Sequence, residues 1–72
     1  MESLTQQRSD FKRLSTLLAQ LTDRDRELFA LKYGAGLTNR TIAHLNGMSE
    51  SNVGTILHRV TQQLRVEWEK KP

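Results

Sequence analysis

Seven polar side chains recur at helical spacing between residues 51 and 65, and they carry the clearest chemical signal in the chain. At ~100° per residue they share one helix face, which carries Ser51, Asn52, Thr55, His58, Arg59, Gln62 and Arg65. Their hydroxyl, amide, imidazole and guanidinium groups can hydrogen-bond base edges and phosphates. None is an acid, as a groove lined by phosphates requires. The face therefore indicates nucleic-acid binding, with a solvated surface as the plainer interpretation.

A helix-turn-helix would position this face. The stretch from Thr38 to Arg65 predicts two helices joined by a tight turn, with Thr38 and Ser49 as N-caps. Ala43 is small enough to let the second helix cross the first closely, and Gly47 can take the left-handed conformation that ends the first helix. Such a unit commonly places its second helix in the major groove of DNA. The pattern favours this interpretation over an ordinary helical hairpin in a bundle.

Two further helices are predicted before this unit. Apolar residues at helical spacing from about Ser9 predict the first, and they are Phe11, Leu14, Leu17, Leu18 and Leu21. Thr22 is expected to cap the second helix, with Asp25 reaching back in a capping-box manner. Gly34 and Gly36 are expected to end that helix. Phe11 and Phe29 are predicted core residues, and Tyr33 is expected to be half-buried.

The last helix has an apolar stripe of ~120°, the width of a core-facing helix. It consists of Val53, Ile56, Leu57, Val60, Leu64 and Trp68. We expect Trp68, at the end of the stripe, to pack back on the first helix. Gly54 lies in the first turns of this helix and costs about 1 kcal/mol relative to alanine. It either permits a backbone or phosphate to approach closely or is merely tolerated.

Composition limits the remaining function classes. A chain of 72 residues forms one small domain, and its lack of cysteine leaves no disulfide or thiolate metal site. His44 and His58 lie 14 residues apart with no carboxylate or cysteine at ligand spacing. No nucleophile–base pair stands out, so we expect neither an enzyme nor a metal or other cofactor. No apolar run approaches the ~20 residues that span a membrane, and we expect a cytoplasmic protein.

Residues 21–65 resemble region 4 of bacterial RNA polymerase sigma factors, most closely those of the extracytoplasmic-function group. The segments that carry the resemblance are LTDRDRELFALKY, GLTNRTIA, GMSESNVG and LHR, the last followed by Leu64 and Arg65. Sigma factors also have an upstream region that melts promoter DNA and binds the polymerase core, and this sequence has no counterpart of it. We therefore expect region 4 as an isolated domain, either excised from a longer protein or a short protein with the same fold.

The resemblance implies an all-α, four-helix domain with a C-terminal helix-turn-helix, over residues 9–72 after a flexible segment at 1–8. Its last helix would bind the promoter −35 element during transcription initiation. The implied protein partners are the β flap of RNA polymerase and, as an occluding protein, an anti-sigma factor. As an isolated domain it is expected to be a monomer.

The resemblance also assigns positions at the DNA. The recognition positions are Glu50, Ser51, Asn52, Thr55, His58 and Arg59, and the polar face adds Gln62. Thr38, Asn39 and Arg40 fall where the family touches the DNA backbone. Replacing Arg59 by alanine is expected to weaken DNA binding and to leave the fold intact. Gly54 and Ile56 stand where many members have basic residues, which implies fewer phosphate contacts here.

Two other functions remain open at this point. One is the DNA-binding domain of a response-regulator type activator, whose tetrahelical motif is similar and whose dimers read two half-sites. The other is a protein-interaction module that binds polymerase or an anti-sigma factor without DNA. The mild net charge of +3 permits DNA binding without demanding it.

Overall fold

Four α-helices and one π-helical turn make up the part of the chain that the structure describes. This computed structural model describes the backbone of residues 4–70 and the side chains from residue 10 onward. The elements are α1 (Leu4–Ala19), α2 (Asp23–Phe29), a π-helical turn (Ala30–Gly34), α3 (Asn39–Asn46) and α4 (Glu50–Glu69). Residues 4–70 contain no strand, and the predicted all-α architecture with a C-terminal helix-turn-helix is confirmed.

Hydroxyl caps define where three of the helices begin. The Thr22, Thr38 and Ser49 side chains each accept a hydrogen bond from the backbone N–H three residues later, at 3.1, 3.2 and 3.0 Å. Each bond satisfies an N–H that the first turn of a helix leaves without a partner. The three predicted N-caps are therefore confirmed, and they determine the first residues of α2, α3 and α4.

The turn between α3 and α4 follows the predicted glycine signal. Gly47 has φ of 65° and ends α3 in the left-handed region. The next N–H, of Met48, donates to the carbonyl oxygen of Ala43 at 2.9 Å, which satisfies one of the last carbonyls of the helix. This turn brings α4 across α3 at the buried Ala43.

The second helix ends differently from the sequence prediction. From Ala30 the chain widens into a π-helical turn, in which Ala35 N–H donates to the Ala30 carbonyl at 3.0 Å. Gly34 lies inside this turn, and Gly36, with φ of 74°, makes the reversal that follows it. Tyr33, which lies on this turn, is 57% exposed rather than half-buried.

The core lies where α2, α3 and α4 meet. Its buried apolar residues are Leu21, Leu28, Ile42, Ala43, Val53, Ile56, Leu57, Val60 and Leu64. Five of them belong to the predicted stripe of α4, so the orientation of that helix is confirmed. Phe29 is half-buried and packs against this cluster, in agreement with its predicted place.

The first helix packs on this core more loosely. Among its described side chains, Leu17 and Leu18 reach the cluster and are half-buried. The Arg13 guanidinium lies 4.3 Å from the centre of the Trp68 ring and donates to the carbonyl oxygens of Trp68 and, at 3.1 Å, Lys70. Trp68 therefore packs back on the first helix, as predicted.

The first helix differs from the sequence prediction at Phe11 and at its first residue. Phe11 is not a core residue, because it is 73% exposed. Arg13 already lies opposite the end of α4, so Phe11 extends beyond any helix it could pack against. The helix begins at Leu4 rather than near Ser9. Residues 1–3 lie outside the described part, and the division into a flexible segment 1–8 and a domain 9–72 stays a prediction.

Candidate nucleic-acid interface

The predicted site residues lie along the start of α3 and the first four turns of α4. Nine of them are exposed: Thr38, Arg40, Glu50, Ser51, Asn52, Thr55, His58, Arg59 and Gln62. Asn39 is half-buried. The polar side of α4 lies opposite its buried side, which begins at Val53 and Ile56. An approaching macromolecule could therefore reach this polar side without disturbing the core.

Part of this polar surface already serves the helices themselves. The Thr38 hydroxyl accepts from Thr41 N–H and donates to the Thr41 hydroxyl at 3.1 Å. The Thr55 hydroxyl donates to the Ser51 carbonyl at 3.1 Å. A hydroxyl that donates in this way still has acceptor capacity, so Thr55 can accept from a base edge.

Asn39 and Arg40, the neighbouring site residues at the start of α3, line different clefts. Arg40 and Glu50 line a shallow cleft of about 460 Å³ between α3 and the beginning of α4, together with His44 and Met48. Asn39 lines instead a second cleft, together with His58 and Gln62. The exposed polar side of α4, here called the ridge, is therefore accompanied by two polar clefts, one at the start of the helix and one along residues 54–65.

The second cleft contains basic residues that were not among the predicted site residues. It has a volume of about 420 Å³ and is lined by Lys32, Tyr33, Asn39, Gly54, Leu57, His58, Thr61, Gln62 and Arg65. Lys32 reaches it because the π-helical turn lies beside α4 here. No rule of sequence spacing connects residue 32 with residues 58–65. In the sequence, Lys32 is a single lysine late in the predicted second helix, and that alone does not indicate a site residue.

Gly54 lies close to the other helix of the motif. A β-carbon built at Gly54 would lie 3.7 Å from the side-chain nitrogen of Asn39, an ordinary van der Waals distance. The side-chain oxygen of Asn39 is buried without a hydrogen-bond partner among the described residues. The neighbour that approaches Gly54 is thus α3, and that approach leaves room for a methyl group.

The Arg59 side chain connects the polar face to α2. Its Nη2 donates to Oδ2 of Asp25 at 3.2 Å, across 34 positions of sequence. Asp25 Oδ1 accepts from Arg24 at 3.2 Å. The capping-box prediction for Asp25 is therefore wrong, because its carboxylate faces these two arginines while Thr22 supplies the cap alone.

Comparison with protein families agrees with this geometry. A family model described as Sigma-70, region 4 matches residues 11–64. The chain belongs to the sigma-70 region 4 family. The curated proteins and the solved structures gave no match. As a region 4 domain, it is a DNA-binding domain with a helix-turn-helix, and it acts in transcription initiation. Membership of the extracytoplasmic-function group stays a prediction.

The region 4 domain also has an apolar groove, which adjoins the second cleft at Tyr33, Thr61 and Arg65. It lies between α1, the end of α2 and the second half of α4, with a volume of about 340 Å³. Its lining consists of Leu14, Leu17, Phe29, Tyr33, Thr61, Leu64, Arg65, Trp68 and Glu69. Over residues 4–70, no helix of the domain is both long and apolar enough to cross a membrane.

Proposed function

We propose that this domain binds the promoter −35 element as a monomer, with the first turns of α4 in the major groove. The observation that carries the proposal is the exposed polar side of α4, presented by a helix-turn-helix in a chain of the sigma-70 region 4 family. An α-helix fits the major groove, where each base pair presents a distinct pattern of donors, acceptors and methyl groups. The opposite side of α4 is anchored by residues such as Val53, which is fully buried.

The residues on the ridge and in the clefts would contact different parts of the DNA. We assign base edges to Ser51, Asn52, Thr55 and His58, whose side chains are exposed near the start of α4. The clefts supply cations for phosphate contacts, with Arg40 in the first and Lys32 and Arg65 in the second. Phosphate contacts set the register of the helix, and base contacts set its specificity. Three such contacts imply a salt slope of about −3.

The apolar groove supports a second contact, with RNA polymerase. We assign it to the β flap, because the groove lies between α1 and the second half of α4, away from the helix start assigned to DNA. Its lining is mostly leucine and aromatic side chains, which suit a partner helix with an apolar face. The groove and the second cleft share Tyr33, Thr61 and Arg65, so the two proposed contacts adjoin each other. An anti-sigma factor that covered the polar side of α4 would prevent DNA binding, and one that covered the groove would prevent binding to polymerase.

One titration series tests both contacts. The isotope-labelled domain is titrated with a short duplex carrying a −35-type site, with a scrambled duplex and with a β flap fragment. The specific duplex should shift the amide signals of Ser51, Asn52, Thr55, His58 and Arg59 more strongly than the scrambled one. The flap fragment should shift the methyl signals of Leu14 and Leu17. Binding of the isolated domain is expected to be weak, because tethering within polymerase normally raises the effective concentration.

The outcomes separate the two functions. Clustered shifts on α4 with the specific duplex support promoter recognition. Equal shifts with both duplexes would contradict specific recognition and leave only electrostatic attraction. Absence of clustered shifts at low salt, combined with flap-induced shifts in the groove, would replace the proposal with a protein-interaction module that binds polymerase without DNA.

A further inference from the structure

Asp25 is a buried charge that the DNA-binding role of the fold leaves without an explanation. It is 6% exposed, and it is the one charged residue among the buried side chains that the structure describes. Its backbone N–H completes the Thr22 cap at 3.1 Å, a bond that needs no carboxylate. A buried carboxylate loses the stabilisation of water and has to be compensated by neighbouring donors or charges. The residues that compensate it therefore indicate its role.

Two arginines compensate Asp25, and they come from different helices. Arg24, the preceding residue on α2, donates to Oδ1 from Nε and Nη2 at 3.3 and 3.2 Å. Arg59 on α4 donates to Oδ2 at 3.2 Å. Because Arg24 alone balances the carboxylate charge, the three side chains together keep one net positive charge. That charge lies at the surface, since the Arg24 and Arg59 side chains are 57% and 59% exposed.

The geometry leaves Arg59 with free donors. Its contact with Asp25 uses Nη2, and a guanidinium carries five N–H donors in a rigid planar fork. The hydrogen bond at Nη2 restricts the orientation of the whole planar guanidinium. Its remaining N–H groups stay available to a base edge or a phosphate. The anchor is on α2, outside the helix-turn-helix, so it also ties the recognition helix to the rest of the domain.

We propose that Asp25 is a positioning residue for promoter recognition, which acts by holding the Arg59 guanidinium in its DNA-binding orientation before DNA arrives. This inference rests on the proposed DNA-binding function. An unrestrained arginine loses rotamer freedom when it is immobilised at an interface, and a prepositioned one has lost part of it on folding. The opposite possibility is that Asp25 sequesters Arg59 from DNA. When the carboxylate is removed, the positioning role predicts weaker DNA binding and the sequestering role predicts tighter DNA binding.

The test is a double-mutant cycle on DNA affinity. Asp25→Asn keeps the shape of the side chain and removes its charge, and we expect it to weaken binding to the −35-type duplex about two- to tenfold. In the Arg59→Gln background the same change should have no effect, because the group on which Asp25 acts is gone. The matched control is Asp23→Asn, which removes one negative charge from the same helix turn at a side chain that is 99% exposed. It should leave the affinity unchanged or slightly raise it.

Three results would overturn the proposal. Tighter binding by Asp25→Asn would mean that the carboxylate sequesters Arg59. Asp25→Asn could also weaken DNA binding by the same factor in the Arg59→Gln background as in the wild type. That result would mean that Asp25 affects binding through the stability of the fold and not through Arg59. Equal effects of Asp25→Asn and Asp23→Asn would mean that only net charge matters. Thermal unfolding of each variant establishes that the compared proteins are folded.

A measurement on the unmodified domain covers the case in which Asp25→Asn does not fold. Side-chain NMR of the free domain should find the Arg59 guanidinium more ordered than that of Arg65, an exposed arginine on the same helix. Equal mobility of the two would overturn the positioning role. If the wild-type domain did not prefer the specific duplex, the proposed function would fail, and the arginine spectra would still decide whether Asp25 holds Arg59.

Discussion

The helix-turn-helix and the first helix are held in the same small domain by different kinds of contact. In α3 and α4, Ile42, Val53 and Val60 are completely buried, and capping side chains begin both helices. The described side chains of α1 include no fully buried residue. That helix is held by half-buried leucines and by the Arg13–Trp68 contact. The helix-turn-helix is therefore closely packed, and the part beside the apolar groove is only partly covered.

This difference fits two kinds of binding surface. A recognition helix reads base edges through hydrogen bonds, which demand defined positions of its side chains. In the proposed DNA complex, the packed α3–α4 unit and the Asp25–Arg59 ion pair would hold these side chains in defined positions. A groove for an apolar partner demands exposed apolar surface instead, and Tyr33, at 57% exposure, supplies part of it. Regions with few buried apolar contacts open more readily than the core.

The largest expected effect compares leucines from the two regions. Leu57→Ala, at a residue 4% exposed on α4, should lower the free energy of unfolding by about 2–5 kcal/mol. That is a large part of the stability of so small a domain. Leu17→Ala, at a half-buried residue on α1, should cost about 1 kcal/mol, because less apolar surface is lost. Urea denaturation followed by circular dichroism measures both values. Equal costs would contradict the division into a packed and a partly covered region.

A smaller effect is expected where α1 meets the end of α4. Arg13→Gln removes the guanidinium that lies over the Trp68 ring and donates to the carbonyl of Lys70. We expect a loss of about 1 kcal/mol. Hydrogen exchange should become faster in α1 and stay unchanged in α3. Lys12→Gln, at an exposed neighbouring position, is the matched control. Faster exchange throughout the domain in Arg13→Gln would show that α1 and the helix-turn-helix unfold together.

The same division explains how much could be predicted from the sequence. The caps at Thr22, Thr38 and Ser49 and the left-handed Gly47 depend on neighbours within five residues, so local rules sufficed. The buried side of α4 followed from periodicity. Phe11 was assigned wrongly because periodicity identifies a helix face and gives no information on where the partner helix ends. The π-helical turn had no signal that the local rules detect.

The candidate site divides in the same way. The exposed side of α4 could be predicted, since it lies opposite an apolar stripe. The place of Lys32 in one cleft with His58 and Arg65, and the ion pair of Asp25 with Arg59, could not be predicted, since each depends on tertiary contacts between distant segments. The ion pair also changes one expectation, because Arg59→Ala would leave the buried Asp25 with Arg24 alone. We now expect that variant to lose stability as well as DNA affinity.

The smallest expected effect concerns two glycines of the helix-turn-helix, and it differs in sign between them. Gly54→Ala should raise the free energy of unfolding by up to about 1 kcal/mol, the difference in helix propensity, because the new methyl group meets Asn39 at an ordinary 3.7 Å. Gly47→Ala should lower it by about 1 kcal/mol, because φ is 65° there and a β-carbon disfavours that region. Apart from its own residue and its two chain neighbours, nothing lies within 4 Å of a β-carbon at Gly47, so this cost comes from the local backbone alone. Thermal unfolding of the two variants checks the signs. Destabilisation by Gly54→Ala would mean that α3 and α4 cannot accommodate a methyl group, and that a close helix approach requires glycine at that position.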